Sequence, residues 1–280
     1  MKTLRLTLAT KIAVAAFVLA AGSCLFVAGS VEAGFYGTEI TKYDGLTPNG
    51  LGAAKEDNET ENGMVQSQAW DLEGFFLQGK SLTIAGGYNF YTGKDGMDAG
   101  DIFIDTNGDA VYAPNTIPGY NYNPGYKTVS NSYFNYDYVL DINWAGGTFN
   151  IVKLNTDSTL QDTEYGEQYN KASNPWIFVS GGTVINGTTP IGFNTYGKAS
   201  VGNTGFNDWS GDGAGLHYVA TFDISAIGSD LNNNLLFHNT MECGNDNLIG
   251  AVPEPGTMML LGMGMLGLAV YGKRRMNKEA

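Results

Sequence analysis

Two short acidic segments have the residue types and spacing of calcium ligands. Each places oxygen-bearing side chains at positions 1, 3 and 5 of a tight turn, as calcium-binding loops do. The candidate ligands are Asp105, Asn107 and Asp109 in the first segment and Asp208, Ser210 and Asp212 in the second. Because Ca²⁺ prefers carboxylate and carbonyl oxygens, these two segments are candidate calcium sites.

Neither segment completes the EF-hand pattern. Ala110 occupies position 6 of the first segment, where the pattern has glycine, and Thr116 stands where a bidentate glutamate is needed. The second segment has the glycine, Gly213, but its position 12 is Val219. The alternative is that these residues only make turns between strands, through hydrogen bonds from the backbone to their own side chains.

The other candidates for chemistry are two histidines and one thiol. His217 and His238 lie in apolar segments typical of strands, where a hydrogen-bonded core position competes with a role as base or metal ligand. No H-E-x-x-H pattern, nucleophile elbow or phosphate loop accompanies them. Cys243 could join two chains or bind a metal, but a small packed side chain is the simpler interpretation.

Aromatic residues give a hypothesis of carbohydrate binding, because ring faces can stack on sugar rings. The candidates for such a platform are Tyr120, Tyr122, Tyr126, Trp144, Trp176 and Trp209. Tyrosine and tryptophan are equally common in the cores and rims of β-sandwiches, so both interpretations stay open.

Charge excludes one class of partner. The 280-residue chain has a net charge of −13, and no arginine lies between residues 34 and 250. Nucleic-acid and phosphate binding depend on lysine and arginine to neutralise phosphates. The sequence therefore predicts no nucleic-acid partner, and its acidity favours solubility or attraction of divalent cations.

The segments that must position these residues have the pattern of an all-β body over residues 34–250. At least seven short apolar segments are separated by Gly, Asn and Asp turns, and Ala145-Gly146-Gly147 joins two of them as a hairpin. Clean helical periodicity occurs only at the two ends of the chain. This organisation predicts one antiparallel β-sandwich or jelly roll.

The N-terminus has the organisation of a signal peptide over residues 1–33. Three cations precede an apolar segment from Ile12 to Phe26, and Val31-Glu32-Ala33 suits signal peptidase. The alternatives are an uncleaved anchor or a lipoprotein modified at Cys24. Cleavage at Ala33 would leave Cys243 as the single thiol, so no disulfide is expected within the chain.

The C-terminus combines three elements in a fixed order. Pro253-Glu254-Pro255 is a stiff extended triplet, because proline excludes regular helix there. The apolar segment from Thr257 to Tyr271 predicts a short transmembrane helix, and the cations Lys273, Arg274 and Arg275 favour the cytoplasmic side.

Residues 252–275 resemble the PEP-CTERM sorting signal of Gram-negative bacteria. The resemblance implies transient anchoring in the inner membrane and processing by exosortase, a membrane cysteine transpeptidase. The triplet would then be a substrate and not a catalytic site. The segment from His238 to Asp246 also resembles a closing segment that precedes this signal in many exosortase-dependent proteins.

Three hypotheses for the body follow. The first is a non-catalytic structural or interaction protein of the cell surface or extracellular matrix. The second is a binding module whose calcium-ordered loops and aromatic face contact exopolysaccharide. The third is a secreted hydrolase, which the scarcity of histidine and the missing catalytic patterns make the weakest.

Overall fold

A computed structural model of the chain describes residues 36–43, 60, 64–111, 127–163, 173–196, 217–232, 234–252, 264–265 and 267–268. The predicted signal peptide lies outside these residues. Of the predicted transmembrane helix only 264–265 and 267–268 are described, and they are helical. None of the described helices has the length and apolar character needed to cross a membrane.

The described residues are mostly β-structure, and their strand pairings are antiparallel, which confirms the predicted all-β class. The strands are β1 Thr38–Glu39, β2 Thr41–Tyr43, β3 Leu72–Gln78, β4 Ser81–Gly86, β5 Ile102–Asp105, β6 Thr128–Ser130, β7 Tyr138–Asn143, β8 Thr148–Lys153, β9 Thr159–Gln161, β10 Ile177–Ser180, β11 Thr183–Val184, β12 Thr189–Pro190, β13 Gly192–Tyr196, β14 His217–Asp223, β15 Leu235–Thr240 and β16 Asn247–Val252. Short 3-10 segments are Gln68–Trp70, Asn131–Tyr133 and Ser225–Asn232.

The strands form three sheets. A five-stranded sheet has the order β1-β3-β4-β14-β13, and a three-stranded sheet has the order β10-β9-β6. The eight-stranded sheet has the order β11-β8-β7-β5-β15-β16-β2, with β12 also paired to β8.

The five-stranded and eight-stranded sheets share one hydrophobic core. The five-stranded sheet contributes side chains such as Phe75, Leu82, Ile84 and Phe222, and the eight-stranded sheet contributes Ile102, Ile104, Leu140, Phe149 and Phe237. Burying one such side chain contributes about 1.5–3 kcal/mol. These two antiparallel sheets therefore pack against each other around that core.

A second core lies between the eight-stranded and three-stranded sheets, and the sequence analysis did not predict it. Phe103, Val139 and Val152 belong to this core with Val129 and Leu160 of the smaller sheet. Since successive side chains of a strand point to opposite faces, Phe103 faces away from its neighbours Ile102 and Ile104. At β5, β7 and β8 the central sheet is therefore covered on both faces.

The hairpin predicted at Ala145-Gly146-Gly147 is confirmed. Asn143 pairs with Thr148, and the N–H of Gly147 donates to the carbonyl of Trp144. Gly147 has a φ of 64°, a conformation that glycine adopts without steric cost.

Both ends of the body contain strands that the sequence analysis missed. Strands β1 and β2 lie in the polar, glycine-rich beginning of the body, and β16 continues to Val252, two residues beyond the predicted end of the body. Strand β16 lies between β15 and β2, so the last strand of the body pairs with one of its first.

Gly100 and Asp101 connect the central sheet to its neighbours. The buried carboxylate of Asp101 accepts the N–H of Ile142 at 2.8 Å and the N–H of Phe178 at 2.7 Å. Gly100 leaves no room for a side chain, because a Cβ would lie 2.5 Å from the carbonyl oxygen of Trp176. The carboxyl group of Asp101 thus completes backbone hydrogen bonding where β7 and β10 meet.

Asp101 should make the stability of the body depend on pH. Burial raises the pKa of its carboxyl from 3.8 to about 8, although the two N–H donors oppose the shift. Between these pH values the folded chain keeps a proton that the unfolded chain has lost, so the free energy of unfolding falls as pH rises. The fall should approach about 1.4 kcal/mol per pH unit.

The measurement is urea unfolding of the wild type and of Asp101→Asn between pH 4 and 8. Other acids titrate in both proteins, so the difference between the two pH profiles reports on Asp101 alone. The wild type should lose more stability over this range than Asp101→Asn. Parallel pH profiles would show that Asp101 stays ionised in the folded chain.

Candidate functional site

The first predicted calcium loop folds as a side-chain-supported turn. One carboxylate oxygen of Asp105, Oδ1, accepts the N–H groups of Asn107 at 3.0 Å and Gly108 at 3.1 Å, and Oδ2 accepts that of Ala110 at 3.4 Å. Asn107 Oδ1 in turn accepts the N–H of Asp109 at 2.9 Å. The oxygens of Asp105 and Asn107 thus bind the backbone of their own loop.

A second carboxylate holds this loop from the start of the neighbouring strand. Asp137 Oδ2 accepts the N–H of Thr106 at 2.8 Å and its hydroxyl at 2.7 Å. In the part of the chain that the structure describes, no three His, Cys, Asp or Glu residues are grouped to hold a metal ion. Calcium binding at Asp105, Asn107 and Asp109 stays a prediction. The second loop, with Asp208, Ser210 and Asp212, lies outside the described residues.

His217 forms a buried pair with an acid that the sequence analysis did not single out. Its Nδ1 lies 2.5 Å from Oε2 of Glu73, and both side chains are fully buried. Gln68 Nε2 donates to Oε1 of Glu73, also at 2.5 Å. The pairing of β3 with β4 shifts register between Leu72 and Gly74, so Glu73 occupies a bulge, which redirects a side chain.

His238 has a different environment from His217. It is fully buried on β15, and its ring stacks on Tyr136 with a centroid distance of 6.0 Å and an interplanar angle of 7°. His217 lies on β14 of the five-stranded sheet, whereas β15 belongs to the eight-stranded sheet. The structure therefore places the two histidines in separate strands of separate sheets.

Two candidates for the aromatic platform belong to the protein interior. Trp144 is buried, stacks on Phe90 at 5.2 Å and donates its indole N–H to the carbonyl of Gly100. Trp176 is buried as well. Tyr120, Tyr122, Tyr126 and Trp209 lie outside the described residues. Neither Trp144 nor Trp176 offers an open ring face to a sugar.

The segment between β15 and β16, residues 241–246, is a connection with many side-chain hydrogen bonds, and we call it the closing hairpin. Just before it, Asn239 Nδ2 donates to the carbonyls of Gly100 and Asp101. Asp246 Oδ2 accepts the N–H of Leu72 at 2.6 Å, and Thr240 donates to the carbonyl of Asp246. These bonds join the hairpin to β3 and to the start of β5.

Further bonds join the closing hairpin to two loops. Asn245 makes two hydrogen bonds to the backbone of Val65, one to its N–H and one to its carbonyl. Glu242 accepts the N–H of Asp98 at 2.8 Å, and Ser173 donates to the carbonyl of Gly244. The closing segment noted in the sequence is thus a structural connection, and Cys243 is a buried free thiol within it.

Strand β16 carries the chain from the closing hairpin to the Pro-Glu-Pro triplet. Leu248 and Ile249 are buried, and Val252 pairs with Leu235 of β15. The N–H of Ala251 donates to the carbonyl of Ile40 at 2.8 Å. Backbone bonds therefore hold the chain up to the residue before Pro253. The triplet itself and the cations Lys273, Arg274 and Arg275 lie outside the described residues.

Breaking the buried Glu73–His217 pair should destabilise the body. Glu73→Ala leaves His217 and Gln68 without the carboxylate that they contact, and loss of one partner from a buried pair costs about 3–5 kcal/mol. Chemical unfolding measures the difference, with Asp109→Ala as a control because Asp109 is exposed. Equal effects of the two substitutions would contradict a stabilising role for the pair.

Gly244 should be required both for its conformation and for its small size. Its φ is 68°, and a Cβ would lie 2.9 Å from the hydroxyl oxygen of Thr163. Gly96 has a φ of 86° with nothing within 4 Å of a Cβ, so it isolates the conformational cost. We expect Gly96→Ala to cost about 1 kcal/mol and Gly244→Ala about 1–3 kcal/mol more.

The measurement is thermal and urea unfolding of the two alanine variants beside the wild type. Equal losses would mean that the closing hairpin relaxes around the added methyl group, and that its packing against Thr163 is loose.

Comparison with known proteins identifies the C-terminal segment. Neither a curated protein nor a solved structure matches the chain. Residues 251–275 match the family model of the PEP-CTERM protein-sorting motif, and Ala251 and Val252 of β16 are its first two residues. The predicted resemblance is confirmed: the chain carries a PEP-CTERM motif, the signal of proteins exported and sorted by exosortase in Gram-negative bacteria.

Proposed function

We propose that the protein is exported through a cleaved signal peptide, held transiently in the inner membrane, and cut by exosortase at Pro253-Glu254-Pro255. The product is delivered to the outer surface or the extracellular polysaccharide matrix. The body has a non-catalytic structural or interaction role there. Signal peptidase and exosortase are its processing enzymes.

The observation that carries this proposal is the sorting motif at residues 251–275. Its three parts have separate physical roles. The two prolines keep Glu254 in an extended segment that a transpeptidase can bind. Snorkelling of Lys273 supports a short apolar span, and the adjacent arginines favour retention of the C-terminus in the cytoplasm until cleavage.

A structural role for the body is supported by the way its reactive groups are used. Both histidines are fully buried, and the Cys243 thiol is 7% exposed. The carboxylates of Asp101, Asp105 and Asp246 accept backbone N–H groups. Nothing in the geometry of the described residues favours calcium-dependent carbohydrate binding or hydrolysis over this role.

The experiment that tests the sorting proposal compares wild type, Glu254→Ala and Glu279→Ala in the native host by intact mass and fractionation. The wild type should lose the residues beyond the triplet and appear outside the cell. Glu254→Ala should keep Lys273, Arg274 and Arg275 and stay in the inner membrane. Glu279 is an acid of the same tail outside the triplet, so Glu279→Ala should behave as wild type.

Retention of the basic end in all three proteins would overturn the proposal. The triplet would then be only a linker between the body and a permanent anchor.

A further inference from the structure

The body ends without a linker before the sorting triplet. Strand β16 is paired up to Val252 on its β15 side, and Ala251 is bonded to Ile40 near β2 on the other. The next residue is Pro253, and the apolar segment begins at Thr257. Only residues 253–256 separate the sheet from that segment.

This short connection limits how far the body can stand from the membrane. An extended chain spans at most about 3.6 Å per residue, so the five residue steps from Val252 to Thr257 reach about 18 Å. In the anchored precursor, the end of the sheet at Val252 must therefore lie within that distance of the apolar segment. The triplet that exosortase binds lies in the same gap.

Strand register identifies the part of the body that borders this gap. Val252 pairs with Leu235, Leu236 with Asp105, and Ile104 with Tyr138. Tyr138 also pairs with Lys153 at the end of β8. Residues 106–111, which follow β5, and residues 154–158, which follow β8, therefore lie at the same end of the eight-stranded sheet as Val252. We call this end, with those two segments, the Val252 end.

The loop that precedes β5 lies at the opposite end. Ala99 forms a bridge with Met241, which follows the last residue of β15. Asp95 and Asp98 are exposed in this opposite loop. The two ends of one sheet thus supply a matched comparison.

Exposed and half-exposed charges at the Val252 end are mainly negative. The acids are Glu39, Asp109, Asp137, Asp157, Asp223 and Asp230, and the lysines are Lys42, Lys80 and Lys153. Asp223 is the last residue of β14, and Lys80 directly precedes β4, whose first residue pairs with Asp223. Both residues are placed at the Val252 end because the segment Ser225–Asn232 leads from there to β15. A leaflet that contains anionic lipid repels such a surface, so contact with lipid headgroups is disfavoured.

We propose that the Val252 end is the surface through which the folded body contacts exosortase, and that it meets a basic surface on the enzyme. This inference rests on the proposed sorting function. The missing linker forces the enzyme to bind the triplet directly beside the body, and complementary charge speeds the encounter of two such surfaces. Body and triplet together form the substrate.

The test measures processing of the full-length precursor by pulse-chase in the native host. Asp109→Lys with Asp157→Lys reverses two exposed charges at the Val252 end, and Asp95→Lys with Asp98→Lys makes the same charge change at the opposite end. The first pair should slow processing about tenfold, equivalent to about 1.4 kcal/mol. The second pair should leave the rate unchanged.

A twenty-residue Gly-Ser insertion between Val252 and Pro253 provides the second arm. The insertion separates the body from the enzyme, so it should restore fast processing to the Asp109→Lys, Asp157→Lys precursor. This restoration also shows that the double variant folds and is exported.

Equal rates for the two pairs, or slow processing that the insertion does not relieve, would overturn the proposal. Faster processing of the Asp109→Lys, Asp157→Lys precursor would overturn it in favour of attraction to anionic lipid. Glu254→Ala in the same assay reports separately on the sorting function. If that variant is processed normally, the sorting function itself fails, whatever the charge variants do.

Discussion

The main constraint on this fold is that its eight-stranded sheet is covered on both faces where β5, β7 and β8 lie. Ile102 and Ile104 face one core while Phe103 faces the other. Backbone groups in such a sheet have no access to water, and an unpaired buried N–H or carbonyl costs as much as a lost hydrogen bond. Every irregularity in the sheet therefore needs a polar side chain at the place where strand pairing stops.

Buried polar residues fulfil that need at the eight-stranded sheet and also in the two sheets that pack on it. Asp101 accepts the backbone N–H groups of Ile142 and Phe178. Asp246 accepts the N–H of Leu72, and Asn131 accepts the N–H of Tyr136. The oxygens of Asp101 and Asp246 that accept these N–H groups are buried inside the protein. These buried polar residues thus serve in the structure as substitutes for missing strand partners.

The same sheet connects the body to its sorting motif. Because β16 is held between β15 and β2, its position depends on residues from both the first and the last part of the body. The motif begins within this strand, so the triplet has a defined origin on the folded surface. The first two residues of the sorting motif are therefore part of the body's sheet.

The sequence by itself determined the sorting motif, the all-β class and the hairpin at Ala145-Gly146-Gly147, since each depends on neighbouring residues and local conformation. It did not reveal the third layer, the pairing of β16 with β2, or the contact of Glu73 with His217, 144 positions apart. The alternation of apolar and polar residues along a strand shows which of its faces is buried. It does not show which distant segment covers that face. Only the tertiary structure decided those partners, because they result from packing between segments far apart in the chain.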